Sequence, residues 1–240
     1  MVTSIALWYS DPMPLKQIIA MGGGGFSMEP ENPTLDLYVL KQTGKTRPKI
    51  CFFPHATDDA VRYVRNFFEA FTKFDCRPAS LSLFNPPTSD LESFVLEQDA
   101  IYVGGGNTKS MIALWREWGL DRILRKAYRR GVVLAGISAG AICWFEQGLT
   151  DSYPGEFRRL DCIGLLLGSC TPHWDGEAGR QKVLRRLIKS GEMLPGIALD
   201  NYAAAHYVDG ELVRVVRSRP GARAFRLEVS RGGVRSRVIG

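Results

Sequence analysis

The stretch "GVVLAGISAGAICWF", residues 131–145, decides the fold of this chain. An apolar run at 132–136 leads into Ser138 between small residues, and a second apolar run follows at once. A short apolar run that ends at glycine is typical of a strand buried on both faces. The pattern G-x-S-x-G at 136–140 then predicts a sharp turn from strand to helix that lifts the Ser138 hydroxyl above the sheet edge. The alternative is a plain turn in which Ser138 only caps the helix.

Working outward from this turn, similar apolar runs end at Gly, Pro or Asn and predict strands at 16–21, 49–54, 80–84 and 100–103. Helical patterns alternate with them at about 57–73, 107–117, 120–130 and 177–190. This alternation predicts an α/β fold with a mostly parallel sheet and helices on both faces. The last third changes character, and its turns at Asp209-Gly210 and Pro220-Gly221 predict antiparallel strands at one edge.

Composition limits the class of protein. A chain of 240 residues with 45% hydrophobic content predicts one domain, 1–240. The five cysteines form no C-x-x-C pair, and the N-terminus lacks the pattern of an export signal, which indicates reduced thiols and a cytoplasmic protein. No apolar stretch approaches the ~18 residues of a membrane span. The net charge is +6, and its basic residues lie on the solvated face of the helix predicted at 120–130 and at strand-like intervals in the last third of the chain. No nucleic-acid motif surrounds them, so we expect no nucleic-acid partner.

Glycines at 104–106 follow the strand predicted at 100–103. This stretch does not match a phosphate-binding loop, because Thr108 stands where glycine must precede Lys109. Its backbone N–H groups lie at the carboxyl end of a strand, where ligands of open α/β sheets bind. The N–H of Gly105 or Gly106, together with that of Ala139, is therefore predicted to form an oxyanion hole.

A serine nucleophile needs a base, and the chain has three histidines: His55, His173 and His206. The chain order of an α/β-hydrolase would combine Ser138 and His206 with Asp175 or Asp200. That fold would want more chain than the roughly 100 residues that follow Ser138.

Four motifs in order resemble peptidase family S51, which contains α-aspartyl dipeptidase (dipeptidase E) and cyanophycinase: "IYVGGGNT" (101–108), "GISAGA" (136–141), "TPHWD" (171–175) and "GIALDNYAA" (196–204). The resemblance covers most of the chain. It implies a fold similar to class I glutamine amidotransferase domains and a triad in the order serine, histidine, acid. Carried over residue by residue, it places the nucleophile at Ser138, the base at His173 and the oxyanion donors at Gly106 and Ala139.

The third member of the triad departs from the family pattern. Where the family carries a glutamate, this chain has Asn201, preceded by Asp200. Asparagine can orient an imidazole but supplies no charge to the imidazolium, whereas Asp200 could do so if the strand end turned it inward. Both assignments stay open at this point. With Asn201 in that place, turnover should be low, and a carboxylate at 201 should raise it about tenfold.

The resemblance implies a short peptide with an N-terminal aspartate as substrate, and Arg180 or Arg158 is a candidate to bind the aspartate carboxylate. Alternatives are a cyanophycinase-like hydrolase of β-aspartyl-arginine linkages and a catalytically silent relative that binds a small ligand. No cofactor is expected, and the scattered histidines and cysteines lack the spacing of metal ligands. A homodimer is a further expectation.

Overall fold

A computed structural model describes residues 14–176 and 178–240, so the N-terminal stretch on which the prediction about an export signal rests lies outside the described part. The strands are β1 (Gln17–Met21), β2 (Lys49–Phe53), β3 (Arg77–Ser80), β4 (Ala100–Val103), β5 (Val133–Ile137), β6 (Phe145–Tyr153), β7 (Glu156–Asp161), β8 (Leu166–Thr171), β9 (Gly196–Leu199), β10 (Ala203–Val208), β11 (Glu211–Arg217), β12 (Ala224–Ser230) and β13 (Gly233–Ile239). The helices are α1 (Thr34–Gln42), α2 (Ala60–Phe71), α3 (Leu91–Leu96), α4 (Thr108–Glu117), α5 (Leu120–Arg129), α6 (Ala139–Ile142) and α7 (Ala178–Lys189). In these described ranges, no helix is long and apolar enough to cross a membrane.

The first sheet has the strand order β11-β10-β1-β5-β4-β2-β3. Its five neighbouring strands β1, β5, β4, β2 and β3 are parallel to one another. Successive residues of these strands face opposite sides. Ile18 belongs to one hydrophobic cluster and Ile19 to another, and Cys51 and Phe52 divide in the same way. Burial on both faces explains why these strands appear in the sequence as continuous apolar runs.

One predicted strand of this sheet is displaced. The apolar run at 80–84 was the expected strand, whereas β3 ends at Ser80. Because β3 is an edge strand with partly exposed residues, its own sequence carries little apolar signal. Leu81 and Leu83 are buried in the core just beyond the strand end, which explains the misleading run.

The antiparallel edge of this sheet is formed by β10 and β11. Asp209 and Gly210 both have positive φ, 51° and 89°, in the tight turn between them. Such a turn matches the twist of the flanking strands. The predicted edge and its turn are therefore confirmed for β10 and β11, but β12 and β13 do not belong to this edge.

A second sheet, with the order β13-β12-β9-β8-β6-β7, was not predicted. Its pairs β6–β8 and β8–β9 are parallel, and its other pairs are antiparallel. The prediction of one mostly parallel sheet is therefore incomplete, because the described chain forms two mixed sheets. The edge strand β7, with the sequence "EFRRLD", has no fully buried residue and gives no apolar run to detect. The similarity to glutamine amidotransferase domains stays a prediction.

The buried carboxyl group of Asp36 links α1 to the first sheet. Asp36 on α1 is 1% exposed and accepts a hydrogen bond from the Tyr102 hydroxyl at 3.1 Å. Burial is the main cause that raises the pKa of Asp36 to about 7, and the charge of the nearby Glu29 raises it further. Hydrogen bonds from Tyr102 and from the Phe26 backbone oppose the increase.

Replacement of Asp36 by asparagine should change how stability depends on pH. The folded-state pKa lies above the ordinary value of 3.8, so the neutral acid stabilises the fold at low pH, and this contribution is lost as pH rises toward 7. The loss is on the order of 4 kcal/mol. The amide of Asp36→Asn keeps an oxygen for Tyr102 without acquiring charge. In urea unfolding, Asp36→Asn should gain stability relative to the unmodified chain between pH 5 and pH 8, and an equal difference at both pH values would contradict this.

Candidate active site

Ser138 follows the central strand β5 at a strained turn. Its φ of 57° and ψ of −111° are unusual for a residue with a side chain. The flanking glycines are required by close backbone packing: a Cβ at Gly136 would lie 2.3 Å from the Gly140 carbonyl oxygen, and one at Gly140 would lie 2.2 Å from that of Val103. The predicted sharp turn from strand to helix is therefore confirmed, and it leaves the Ser138 side chain half-buried rather than enclosed.

The second sheet brings its own residues to the same place. The parallel neighbours β8 and β9 end at Thr171 and Leu199, and His173 and Asn201 follow these two carboxyl ends. The backbone N–H of His173 donates to the carbonyl oxygen of Gly22, just after β1. The carboxyl ends of β1 and β5 in the first sheet and of β8 and β9 in the second sheet thus meet at one site.

The glycine run after β1 permits this close approach. A Cβ at Gly23 would lie 2.1 Å from Asn201 Oδ1, and one at Gly22 would lie 2.3 Å from the Asp200 carbonyl oxygen. Because Gly22 and Gly23 have no side chains, the backbone after β1 can lie against the turn that carries Asp200 and Asn201.

Three side chains form a continuous chain of hydrogen bonds. His173 Nε2 lies 2.8 Å from Ser138 Oγ, and His173 Nδ1 lies 2.7 Å from Asn201 Oδ1. An amide oxygen only accepts, so Nδ1 carries the proton and Nε2 is left to accept from the serine hydroxyl. This is the tautomer that a general base requires.

Asp200, the other candidate for the third position, points away from the imidazole. Its Oδ2 accepts from the Arg223 backbone N–H at 3.0 Å and lies 3.6 Å from Arg223 Nε. Burial, and then the charge of Asp175, raises the pKa of Asp200 above its ordinary value. Adjacent residues at a strand end point to opposite sides, so with Asn201 facing His173, Asp200 is directed toward Arg223, just before β12. The assignment with Asp200 beside the imidazole is therefore wrong.

Backbone strain is concentrated at this site. Among the described residues other than glycine, those with positive φ are Ser138, His173, Tyr202 and Asp209, and only Asp209 belongs to a hairpin turn. Strained residues persist where the surrounding structure holds them, and they are frequent in active sites. Ser138 and His173 belong to the chain of hydrogen bonds, and Tyr202 adjoins Asn201.

The predicted oxyanion donors differ in their availability. The Gly105 N–H donates to the Tyr63 hydroxyl at 3.2 Å, so Gly105 is not a free donor, contrary to expectation. Gly106 has a φ of 131°, and a Cβ there would lie 2.1 Å from the Ala56 carbonyl oxygen. Within the described ranges, the N–H groups of Gly106 and Ala139 donate to no other protein atom. A Cβ at Gly105 would lie 3.3 Å from Ser138 Cβ, which shows that this loop borders the serine.

The other histidines have structural partners. His206 Nδ1 lies 2.8 Å from the Tyr38 hydroxyl, and its Nε2 lies 3.1 Å from Gln17 Oε1. His55 Nδ1 accepts from Trp115 Nε1, and burial lowers the pKa of His55 to about 4. The arrangement with His206 as the base is therefore not formed.

The two predicted substrate arginines lie in different surroundings. Arg180 is 1% exposed, donates to the Leu149 carbonyl oxygen at 3.1 Å and packs over the Phe157 ring. It therefore helps to hold α7 on the second sheet, and its burial contradicts a role in binding a substrate carboxylate. Arg158 is exposed on β7 beside Glu156, so its predicted role is not excluded by burial.

A cavity of about 1010 Å³ borders Gly106. Its lining includes Phe84 and Leu114, together with the carboxylates of Asp58 and Glu117. In the part of the chain that the structure describes, no group of three or more His, Cys, Asp or Glu residues could hold a metal ion. The expectation of a reaction without metal or cofactor stays a prediction.

Two contacts of the site were missed by reasoning from the sequence. Tyr63 on α2 holds the Gly105 N–H, and no motif marks it. Asp175 accepts hydrogen bonds from Asn201, although it was considered only as a partner of His206. The motif "TPHWD" contains Asp175, but its contact with Asn201 depends on two separate turns.

The family model described as Peptidase family S51 matches residues 18–215. "Uncharacterized peptidase YgaJ" from Bacillus subtilis (strain 168) is 54% identical over 213 residues, which are 89% of this chain and 92% of that protein. "Uncharacterized peptidase Lin0382" from Listeria innocua serovar 6a is 24% identical over 181 residues, or 71% and 84% of the two chains.

A crystal structure of a peptidase from an acI-B1 Actinobacterium has the same overall fold, with a TM-score of 0.71 over 97% of each chain at 15% identity. At this low identity, the likeness concerns the fold alone. The family model extends from β1 into the antiparallel edge, and the alignment with the Bacillus relative covers 89% of the chain. The chain therefore belongs to peptidase family S51.

Proposed function

We propose that the chain is a serine peptidase that hydrolyses short peptides through an acyl-enzyme on Ser138. The observation that carries this proposal is the unbroken contact from Ser138 Oγ through His173 to Asn201, at 2.8 and 2.7 Å. A strained elbow and the two backbone N–H groups beside it support the same chemistry. A serine that served only as a helix cap would not need a histidine held in the correct tautomer.

The mechanism follows from these positions. His173 Nε2 takes the proton from Ser138 Oγ as the oxygen attacks the peptide carbonyl carbon. The N–H groups of Gly106 and Ala139 donate to the oxyanion that forms. His173 then gives the proton to the leaving amine, and water, activated by the same imidazole, hydrolyses the ester and releases Ser138.

The proposed substrate is a dipeptide with an N-terminal aspartate, and this rests on family membership. The carboxylates of Asp58 and Glu117 in the cavity beside Gly106 suit the free α-amine of such a peptide. Because Arg180 is buried, the cation for the aspartate side chain must come from an exposed residue, and Arg158 is the remaining predicted one. Hydrolysis of β-aspartyl-arginine linkages is the alternative, since the same cavity would also suit the basic side chain.

A panel of peptides tests this proposal. Aspartyl dipeptides, matched asparaginyl dipeptides and β-aspartyl-arginine should be compared by kcat/KM. We expect the aspartyl dipeptides to exceed their asparaginyl counterparts at least ~10-fold, because a charge-assisted contact in a site partly screened from water is worth over ~1.4 kcal/mol. Faster cleavage of β-aspartyl-arginine would favour the alternative. No cleavage and no labelling by a fluorophosphonate would indicate a silent relative.

A further inference from the structure

Asp175 makes two hydrogen bonds with Asn201 that the mechanism has not used. Asp175 Oδ1 accepts from Asn201 Nδ2 at 3.0 Å and from the Asn201 backbone N–H at 2.8 Å. Asp175 lies two residues beyond His173, in the turn after β8, and its carboxylate is exposed. A charged group is thus in direct contact with the uncharged third member of the triad.

These contacts determine which way the Asn201 amide faces. A carboxylate only accepts hydrogen bonds, so Asn201 must direct its NH₂ group toward Asp175 and its oxygen toward His173. With the amide turned round, its NH₂ group would face His173, whose Nδ1 could then no longer donate, and the base would have the wrong tautomer. Asp175 therefore prevents the one reorientation that would disable His173.

The contact also brings negative charge to the triad. Hydrogen bonds in a chain polarise one another, so a carboxylate on the NH₂ side makes the Asn201 oxygen a better acceptor. An imidazolium at His173 would be attracted by the same charge, although exposure to water weakens this attraction. The other charged groups at this turn, Asp200 and Arg223, pair with each other.

We propose that Asp175 is a positioning residue that acts through Asn201, so that the catalytic assembly is Ser138, His173, Asn201 and Asp175. The proposal rests on the proposed function, since it assumes that His173 serves as the base. It accounts for a family member that has an amide where a carboxylate is usual: the carboxylate is present, one residue further along the chain of hydrogen bonds.

This proposal reverses the expectation for Asn201→Asp. From the sequence alone, a carboxylate at 201 should raise turnover about tenfold. In the structure, that carboxylate would place an oxygen about 3.0 Å from Asp175 Oδ1, where Nδ2 now donates. Two like charges at this distance repel strongly. The single substitution should therefore lower activity at alkaline pH.

The first experiment removes the charge alone. Asp175→Asn keeps the shape and an oxygen for Asn201, and Asp75→Asn, at an exposed ion pair with Arg47, is the matched control. We expect kcat/KM to fall about 10-fold in Asp175→Asn and to be unchanged in the control. The acidic limb of the pH–rate profile should also move to lower pH, because the imidazolium loses a favourable charge. An unchanged rate and profile would overturn the proposal.

The second experiment exchanges the two groups. In Asn201→Asp with Asp175→Asn, the NH₂ group of residue 175 can take the place of Oδ1 and donate to the new carboxylate. The backbone N–H of residue 201, which now donates to the same Oδ1 at an exposed position, then donates to water. We expect Asn201→Asp alone to be at least ~10-fold less active than the unmodified chain at pH 8, and the double variant to recover to within ~3-fold. A double variant no more active than Asn201→Asp would overturn the proposal. Thermal unfolding of each variant identifies losses that come from misfolding.

A third measurement separates this proposal from the proposed function. The ring titration of His173 can be followed by NMR, with the His173→Gln spectrum used for assignment, and it requires no activity. If the chain cleaves no peptide, the proposed function fails. The charge contact is still supported if the titration midpoint moves to lower pH in Asp175→Asn, and it is rejected if the midpoint does not move.

Discussion

Replacing Ser138 with alanine should abolish peptide hydrolysis while leaving the protein folded. The acyl-enzyme cannot form without Oγ, and His173 then has no nucleophile to activate. In serine peptidases, removal of a triad member typically lowers kcat by about 10⁴-fold or more, so we expect a loss of that size in kcat/KM. The measurement is hydrolysis of the best substrate from the dipeptide panel.

The structure allows a clear control for this experiment. Ser138 is half-buried, so the free energy of unfolding should change by no more than about 1 kcal/mol on substitution. Ser230→Ala removes a hydroxyl that only donates to the Gly233 carbonyl oxygen in the last hairpin, and it should retain full activity. A fluorophosphonate should label the unmodified chain and Ser230→Ala but not Ser138→Ala. Hydrolysis that persists in Ser138→Ala would end the serine-peptidase proposal.

The parts of the fold that could be predicted from sequence are those with burial on both faces. The run at 100–103 coincides with β4, whose residues are all buried, and the turn at 136–140 was evident because close packing requires its glycines. The second sheet could not be predicted in the same way. Its edge strand β7 is solvated and polar, so it leaves no hydrophobic pattern along the chain.

The candidate site shows the same limit at the scale of single side chains. Asp200 and Asn201 are adjacent, and a shift of one residue exchanges the side chain that faces His173. The strand pattern alone cannot decide between them. The choice depends on the turn after β9, where Tyr202 has a φ of 68°, and on Gly23, whose missing side chain leaves room for the Asn201 oxygen. The contact between Asp175 and Asn201 depends on that turn and on the turn at His173 together.

The histidines distinguish this arrangement from that of an α/β-hydrolase. His173→Ala removes the base and the later proton donor, so kcat/KM should fall by about 10³-fold or more. His206→Ala is the matched control, since His206 is also hydrogen-bonded through both ring nitrogens but to Tyr38 and Gln17. His206→Ala should change kcat/KM by less than ~3-fold.

The free energy of unfolding should respond in the opposite order, with a larger loss in His206→Ala than in His173→Ala. His206 on β10 is 4% exposed and contacts Tyr38 on α1, so its removal leaves a cavity and the Tyr38 hydroxyl without this partner. A cost of about 1–3 kcal/mol in the free energy of unfolding is expected. His173 is only half-buried, and His173→Ala should cost less. Kinetics and urea unfolding on both variants test the crossed pattern. A large kinetic loss in His206→Ala with a small one in His173→Ala would exclude His173 as the base, and with it the assembly that contains Asn201 and Asp175.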